Sequence, residues 1–305
     1  MAKIAVIGLS GASIFLNVET LPKEGMTVHA QQLHIEPGGK GYNQAVACAK
    51  MGVEVSYLSR VGNDKNGQDC IDYLRHLGIK DYFVKDLENN TALATILTDQ
   101  KGENEVIVYP GASTHLCVKD VSVFEEEIRR ADCLLVQYEL PMEVIKEAMT
   151  IAKKASTLII LNPAPAIYQD FSLLEMADIV CPNLDEARCL YQIPSNISNS
   201  EIGCYLQDKI KNRVIITMGK NGCLYVEKGK YQYFSSIQVK TVDTTGAGDV
   251  FNAGIAAALA NQKSIEEAIQ FAIVASGLSV TKKYVMDAIF TIEDIERYRK
   301  QNDNK

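Results

Sequence analysis

The chain has 305 residues, of which 47% are hydrophobic, and it carries a formal net charge of −7 with a pI near 5.3. This length and composition support a sizeable core and do not fit a disordered chain. The acidic balance disfavours a nucleic-acid partner, because phosphate binding needs a basic surface. No apolar run reaches the roughly 18 residues that span a bilayer, and the first residues lack the basic region and cleavage site of a signal peptide. We therefore expect a soluble, cytoplasmic protein with no membrane partner.

The eight cysteines stand singly in apolar stretches, without a CxxC pair. Zinc sites bring cysteine or histidine ligands together at short spacings, and this sequence lacks that pattern. We therefore expect buried thiols in a reducing compartment.

Short runs rich in valine and isoleucine alternate with segments of helical period along much of the chain, which is typical of βαβ units. Several runs are continuously apolar, as strands covered by helices on both faces are. The pattern predicts an α/β fold with a mostly parallel sheet, in one domain over residues 1–305. Predicted strands cover residues 3–9, 55–61, 133–138, 157–162, 179–181 and 214–218, and predicted helices cover about 40–51, 66–77, 141–154, 184–191, 247–261 and 265–282.

Two segments, 13–36 and 91–110, break this alternation. The second has a polar turn between two runs of β-forming residues, and both are interpreted as antiparallel strands outside the parallel core. A small β lobe of this kind would form a lid over the carboxyl ends of the core strands, where open α/β sheets bind ligands. The alternative is a hairpin without a functional role.

The most informative segment runs from Val242 to Gly254 and contains Gly246-Ala247-Gly248-Asp249. Glycines at the start of a helix let backbone N–H groups converge on an anion. Phosphoryl transfer requires such an anion hole, because its transition state spreads negative charge over the transferred oxygens. Asp249, in the first helical turn, could accept a proton from an attacking hydroxyl. By spacing alone, a tight turn with Asp249 as an N-terminal helix charge also fits.

This segment resembles the C-terminal signature of the ribokinase-like (PfkB) carbohydrate kinase family, and residues 38–47 (GGKGYNQAVA) match its N-terminal signature at the expected separation. Further matches lie at 162–165, 182–186 and 217–222. The resemblance implies a three-layer αβα sandwich with a small antiparallel β lid. It also implies an ATP- and Mg²⁺-dependent kinase that phosphorylates a primary hydroxyl of a ribose-like sugar. A nucleoside kinase and a sugar-sensing protein without turnover are the alternatives; a dinucleotide-dependent dehydrogenase is disfavoured because GxGxxG is absent.

The resemblance also implies roles for individual residues. Asp249 would be the catalytic base, and the anion hole would comprise Gly246, Ala247 and Gly248. Substrate contacts would come from Ser13, Gly39, Lys40, Asn43 and Glu139. Nucleotide contacts would come from Asn183, Thr217 and Gly219, and metal sites would involve Glu186 and Asp243. From the residues alone, Asn183 and Glu186 fit a helix capping box equally well.

The substrate end of the pattern departs from the family. Ribokinases carry Asn-x-Asp after the first strand, where this chain has Gly11 and Ser13. Loss of a charge-assisted acceptor removes roughly 1.5 to 3 kcal/mol of binding for each well-placed hydroxyl. We therefore expect an acceptor that lacks one of those hydroxyls, a different sugar, or a nucleoside-like molecule.

A second departure lies in the loop that, with the Asp243 region, forms a monovalent-cation site in relatives. Ribokinases usually have Gly-Ala where this chain has Tyr284 and Val285, so a requirement for K⁺ is left open. Tyr42 replaces a small residue and would fill part of the pocket. Relatives often pair their lids, and exposed strand edges favour such pairing, so we expect a homodimer through the β lid.

Overall fold

The structure is a computed structural model that describes residues 1–166 and 171–302. The strands, in chain order, are β1 (Lys3–Ile7), β2 (Gly11–Val18), β3 (Ala30–Gly38), β4 (Glu54–Gly62), β5 (Lys80–Asp86), β6 (Ala92–Thr98), β7 (Asn104–Tyr109), β8 (Cys133–Gln137), β9 (Leu158–Asn162), β10 (Ile179–Val180), β11 (Arg213–Thr217), β12 (Cys223–Glu227) and β13 (Lys230–Phe234). The helices are α1 (Lys40–Lys50), α2 (Lys65–His76), α3 (Val118–Arg130), α4 (Met142–Ala155), α5 (Phe171–Met176), α6 (Leu184–Leu190), α7 (Ile202–Leu206), α8 (Ala247–Ala260), α9 (Ile265–Ser279) and α10 (Ile292–Asn302). None of these described helices is long and apolar enough to cross a bilayer.

The central sheet has nine strands in the order β13-β12-β11-β10-β9-β8-β1-β4-β5. The seven from β11 to β5 pair in parallel, and β12 and β13 add an antiparallel edge. Side chains of β1 enter two separate apolar clusters, with Ile4 and Val6 on one face and Ala5 and Ile7 on the other. Helices therefore cover both faces, as the continuously apolar strands predict. The expected α/β sandwich with a mostly parallel sheet is confirmed.

The helices on the two faces come from different parts of the chain. Helices α1, α8 and α9 cover one face, and α3 and α4 cover the other. Helix α8 is buried at nearly every position, because its small apolar residues let α1 and α9 pack against it from two sides. Helix α9 begins with a capping box in which Ser264 accepts the Glu267 amide.

The lid is a separate four-stranded sheet in the order β3-β2-β6-β7. The sequence predicted this lid as a set of antiparallel strands. Two of its three strand pairs are antiparallel, and the central pair, β2 with β6, is parallel. Both strands leave the core near its carboxyl edge and run in the same direction. Strands β3 and β7 each pair antiparallel with one of them.

The predicted strands and helices are all present, with ends that differ by a few residues. The prediction did not include β5, β12, β13, α3, α5, α7 and α10. The expectation that the cysteines are buried holds for five of them and is wrong for Cys117, Cys189 and Cys204, which are exposed. Cys117 is the N-cap of α3, and Cys189 and Cys204 lie in the short helices α6 and α7, where a single position does not reveal which side faces solvent.

Candidate active site

A buried carboxylate lies at the centre of the site. Asp249, in the first turn of α8, is only 6% exposed. Its Oδ2 accepts a hydrogen bond from Asn43 Nδ2 at 2.8 Å, and its Oδ1 accepts one from Gln44 Nε2 at 3.1 Å. Burial raises the pKa of Asp249, although the Lys40 charge and the two amide donors oppose that rise. The amides hold the carboxylate in one orientation at the N-terminus of the helix.

A chain of buried amides lies beneath this carboxylate. Gln44 Nε2 also approaches Asn162 Oδ1 at 3.2 Å, and Gln44 Oε1 accepts a bond from Gln137 Nε2 at 2.7 Å. Asn162 in turn donates to the Cys181 carbonyl at 3.0 Å. Sequence reasoning assigned no role to Gln44 or Gln137. Adjacent polar residues on the apolar face of a predicted helix, as at Asn43 and Gln44, are the signal that could have found this network.

Lys40 links the carboxylates of the site. Burial alone would lower the pKa of Lys40, but the nearby charges of Asp249, Glu139 and Glu186 outweigh it and raise the pKa. The Lys40 backbone N–H donates to Glu139 Oε2 at 2.8 Å. Burial raises the pKa of Glu139 to about 7, against the opposing charge of Lys40 and aided by Asp249. The site therefore combines a lysine that stays protonated with two carboxyl groups, Glu139 and Asp249, whose pKa values are raised.

The anion loop, residues 244–248, leads into α8. Gly246 has a φ of 74°, a left-handed conformation that favours glycine, and it is the N-cap of the helix. The Ala247 N–H donates to the Thr244 carbonyl at 3.2 Å, so the turn itself uses that donor. A β-carbon at Gly248 would meet no atom within 4 Å, so this position opens into space. An anion could approach the helix N-terminus here without a steric barrier.

A cavity of about 670 Å³ opens in front of the anion loop. Its walls include Asn183 and Glu186 at the start of α6, and Thr217 and Gly219 after β11. Asn183 and Glu186 form the capping box, with reciprocal bonds of 2.8 Å. The capping box predicted from these two residues is therefore present, and Glu186 also lines the cavity. Burial raises the pKa of Glu186 despite the bond from the Asn183 amide.

The residues predicted to contact the acceptor lie near Asn43 and Lys40, and of them only Lys40 lines the cavity. Gly39, the N-cap of α1, has a φ of 115°, and a β-carbon there would lie 2.3 Å from the Leu9 carbonyl oxygen. Ser13 Oγ lies beside Gly38, where an added β-carbon would be 2.3 Å away. Asn43 Oδ1 is buried and has no hydrogen-bond partner within the described residues. An unpaired buried carbonyl beside the base is a place where a ligand hydroxyl would be accepted.

Asp243 lies behind the anion loop and outside the residues that line the cavity. Its Oδ1 accepts bonds from the Thr245 N–H at 2.9 Å and the Thr245 hydroxyl at 2.7 Å. Its Oδ2 accepts the Tyr284 N–H at 2.9 Å. Across residues 1–166 and 171–302, no group of three or more Asp, Glu, His or Cys side chains is arranged to hold a metal ion by itself. The metal role predicted for Asp243 stays a prediction.

Comparison with known proteins agrees with this geometry. Residues 1–291 match the pfkB family carbohydrate kinase family. The chain is 35% identical over 294 residues to a ribokinase of Haemophilus influenzae, covering 95% of this chain and 96% of that protein. It is 30% identical over 304 residues to a deoxyribokinase of Salmonella typhi, covering 98% and 99%. The structure of an Arabidopsis thaliana ribokinase complexed with ribose and ATP superposes with a TM-score of 0.87 at 29% identity, covering 97% of this chain and 98% of that one.

The family match, the kinase relatives and the superposition of the whole α/β fold with its lid make this chain a carbohydrate kinase. The chain belongs to the PfkB family, and the resemblance inferred from its two signatures is confirmed.

Proposed function

We propose that this protein transfers the γ-phosphoryl group of ATP to a primary hydroxyl of a ribose-like sugar. One observation carries the proposal: the buried Asp249 carboxylate, fixed by Asn43 and Gln44, lines the same cavity as the anion loop that precedes it. A base in this position can reach an acceptor hydroxyl while the helix N-terminus binds the transferred group.

Each residue then has a defined task. Asp249 accepts the proton of the acceptor hydroxyl, and its raised pKa improves the match to that proton. The backbone N–H groups of Gly246 and Gly248 stabilise the transferred phosphoryl oxygens, and the Ala247 N–H, which was also predicted to do so, closes the turn on the Thr244 carbonyl. Lys40 stays protonated at neutral pH and offsets the charge that gathers between the carboxylates. Positioning and electrostatics supply most of the rate enhancement in such reactions.

The donor side of the cleft fits a magnesium nucleotide. Thr217, Gly219 and Asn183 line the wall on which we propose the nucleotide binds. Mg²⁺ usually takes one or two carboxylates together with waters and phosphate oxygens, so the Glu186 carboxylate at the cavity edge suits it. When bound, the ion would neutralise charge on the phosphates. Asp243 accepts three protein hydrogen bonds and holds the anion loop. The assay described below, run with and without potassium, decides whether K⁺ activates the enzyme.

The acceptor side is where we expect a specificity other than that of ribokinases. We propose that Ser13, Gly39, Asn43 and Glu139 contact the acceptor, and a serine hydroxyl stands where ribokinases carry a carboxylate. A serine offers one weaker acceptor and one donor, so it favours fewer or differently placed hydroxyl groups. Deoxypentoses, other sugars and nucleosides are therefore the acceptors to compare with ribose.

The test is an ADP-release assay with purified protein, Mg-ATP and a panel of pentoses, deoxypentoses, hexoses and nucleosides, with and without potassium. We expect turnover on at least one sugar, with ribose not the preferred one. Preference for nucleosides would support the alternative kinase. ATP binding without transfer to any acceptor would contradict the proposal and favour a sugar-sensing role.

We further propose a cytoplasmic homodimer that pairs through the lid. Strands β3 and β7 expose apolar side chains on the lid: Leu33, Ile35, Val106, Ile107 and Val108. Through the pairs Ile35–Ile14, Ile14–Thr95 and Thr95–Ile107, the side chains of Leu33, Ile35 and Ile107 lie on one face of the lid sheet, and those of Val106 and Val108 lie on the other. Exposed apolar side chains that share one face in this way are typical of a protein interface. Sedimentation analysis of Ile107→Lys against the unsubstituted protein tests it, with a monomer expected for the variant.

A further inference from the structure

A buried carboxylate of the lid bonds to a loop of the core. Glu36, near the end of lid strand β3, is only 7% exposed. Its Oε1 accepts the Val285 N–H at 2.8 Å, and its Oε2 accepts the Met286 N–H at 3.3 Å. His34 Nε2 lies 3.1 Å from the same Oε2. A carboxylate on the lid therefore caps two consecutive amides of a loop that is about 250 residues away in sequence.

That loop, residues 284–286, lies directly against the anion loop. A β-carbon built on Gly246 would be 2.8 Å from Val285 Cγ1, so the valine side chain packs on the N-cap of α8. The Tyr284 N–H donates to Asp243, whose other oxygen holds the backbone of Thr245. The 284–286 loop thus contacts the anion loop at two points and the lid at a third.

Aromatic contacts hold the same loop to the lid. Tyr284 has a φ of 65°, which costs a non-glycine residue about 1–3 kcal/mol unless its surroundings compensate. Its ring stacks on His34 with centroids 3.8 Å apart and planes at 11°, and it meets the Phe15 ring edge-on at 5.2 Å. Both partners belong to lid strands. The strained conformation is therefore maintained from the lid side.

We propose that Glu36 is a positioning residue that couples the lid to the anion loop. It does not line the nucleotide cavity, and it acts through Val285 on Gly246 and through Tyr284 on Asp243. With the lid seated, the 284–286 loop holds the helix N-terminus in the geometry that binds the transferred group. The inference rests on the proposed phosphoryl transfer, to which it adds a residue outside the cleft.

The test compares Glu36→Ala, Glu36→Gln and the matched control Glu105→Ala, which removes an exposed lid carboxylate on β7. We expect Glu36→Ala to lower kcat by about 10- to 100-fold, because small displacements of catalytic groups have effects of that size. KM for the acceptor should change little. Glu36→Gln keeps one acceptor oxygen and should show an intermediate loss, and Glu105→Ala should match the unsubstituted protein.

Hydrogen exchange of the same variants, measured at a temperature where all are folded, provides a readout that does not depend on turnover. We expect faster exchange in residues 284–286 and also in 243–249 for Glu36→Ala. Unchanged kcat with unchanged exchange at 243–249 would overturn the coupling. If the unsubstituted protein phosphorylates no acceptor, the proposed function fails, while the exchange at 243–249 still decides whether the lid holds the anion loop.

Discussion

The two halves of the cleft differ in how far they follow the family pattern. The half that contains Asp249, the anion loop and the capping box at Asn183 has the residues that the resemblance predicts, and the structure brings them around one cavity. The acceptor half has Ser13 in place of a carboxylate. Chemistry that depends on a helix N-terminus and one base tolerates few changes, whereas recognition by individual side chains can be replaced without disturbing the fold.

The lid lies on the divergent side and contains most of the unusual contacts. Glu36 accepts the Val285 and Met286 amides, and the His34 ring stacks on Tyr284, in the loop where the sequence departs from the family pattern. These residues are distant in sequence and fit together only in the folded chain. The divergence therefore involves a set of mutually dependent residues and extends beyond the single position at Ser13.

The largest expected effect concerns the shared half. Asp249→Asn removes the proton acceptor while keeping a similar shape, and it should lower kcat by about 10²- to 10⁴-fold. Stabilisation of the variant by Mg-ATP in a thermal-shift assay should persist and serves as the control for folding. In the unsubstituted protein, the raised pKa of Asp249 should make kcat/KM fall on acidification at a higher pH than an ordinary aspartate would. An undiminished rate in the variant would remove Asp249 from the chemistry.

A smaller effect is expected on acceptor specificity, which belongs to the acceptor half of the cleft alone. Ser13→Asp restores the carboxylate found in ribokinases and should raise kcat/KM for ribose by about 10- to 100-fold, since charge-assisted bonds are worth roughly 1.5–3 kcal/mol. The control is Ser13→Asn, which has a similar size without the charge. If both variants leave the ranking of acceptors unchanged, specificity is determined elsewhere in the acceptor half.

The smallest effect concerns stability. Because the folded-state pKa of Glu139 is raised to about 7, the unfolded chain releases this proton at a lower pH than the folded chain does, and stability falls as pH rises through the window from about 4.5 to 7. Glu139→Gln should therefore raise the free energy of unfolding by about 1–3 kcal/mol at pH 8 and by less at pH 5. Urea denaturation at both pH values checks this. An equal change at the two pH values would mean that Glu139 does not titrate in this window.

Residues adjacent in sequence made much of the fold and site predictable. The valine- and isoleucine-rich strands and the long helices were located because a period of 2 or 3.6 is a local property. Strand β13 was missed because four of its five residues are exposed, with Tyr231 and Tyr233 among them, and this weakens the apolar signal. Strand β12 is buried and apolar but only five residues long, too short for a period to stand out. The parallel pairing of β2 with β6 was missed because pairing direction depends on where each strand leaves the core.

The sequence by itself determined the class of fold, the family and the residues around Asp249, since these are encoded in short segments with strong steric requirements. Only the tertiary structure decided that Asn43 and Gln44 hold the base, that Glu139 is a weak acid and that Glu36 caps the loop behind the anion hole. Those properties arise from burial and from contacts between residues more than 90 positions apart, and neither can be read from a local pattern.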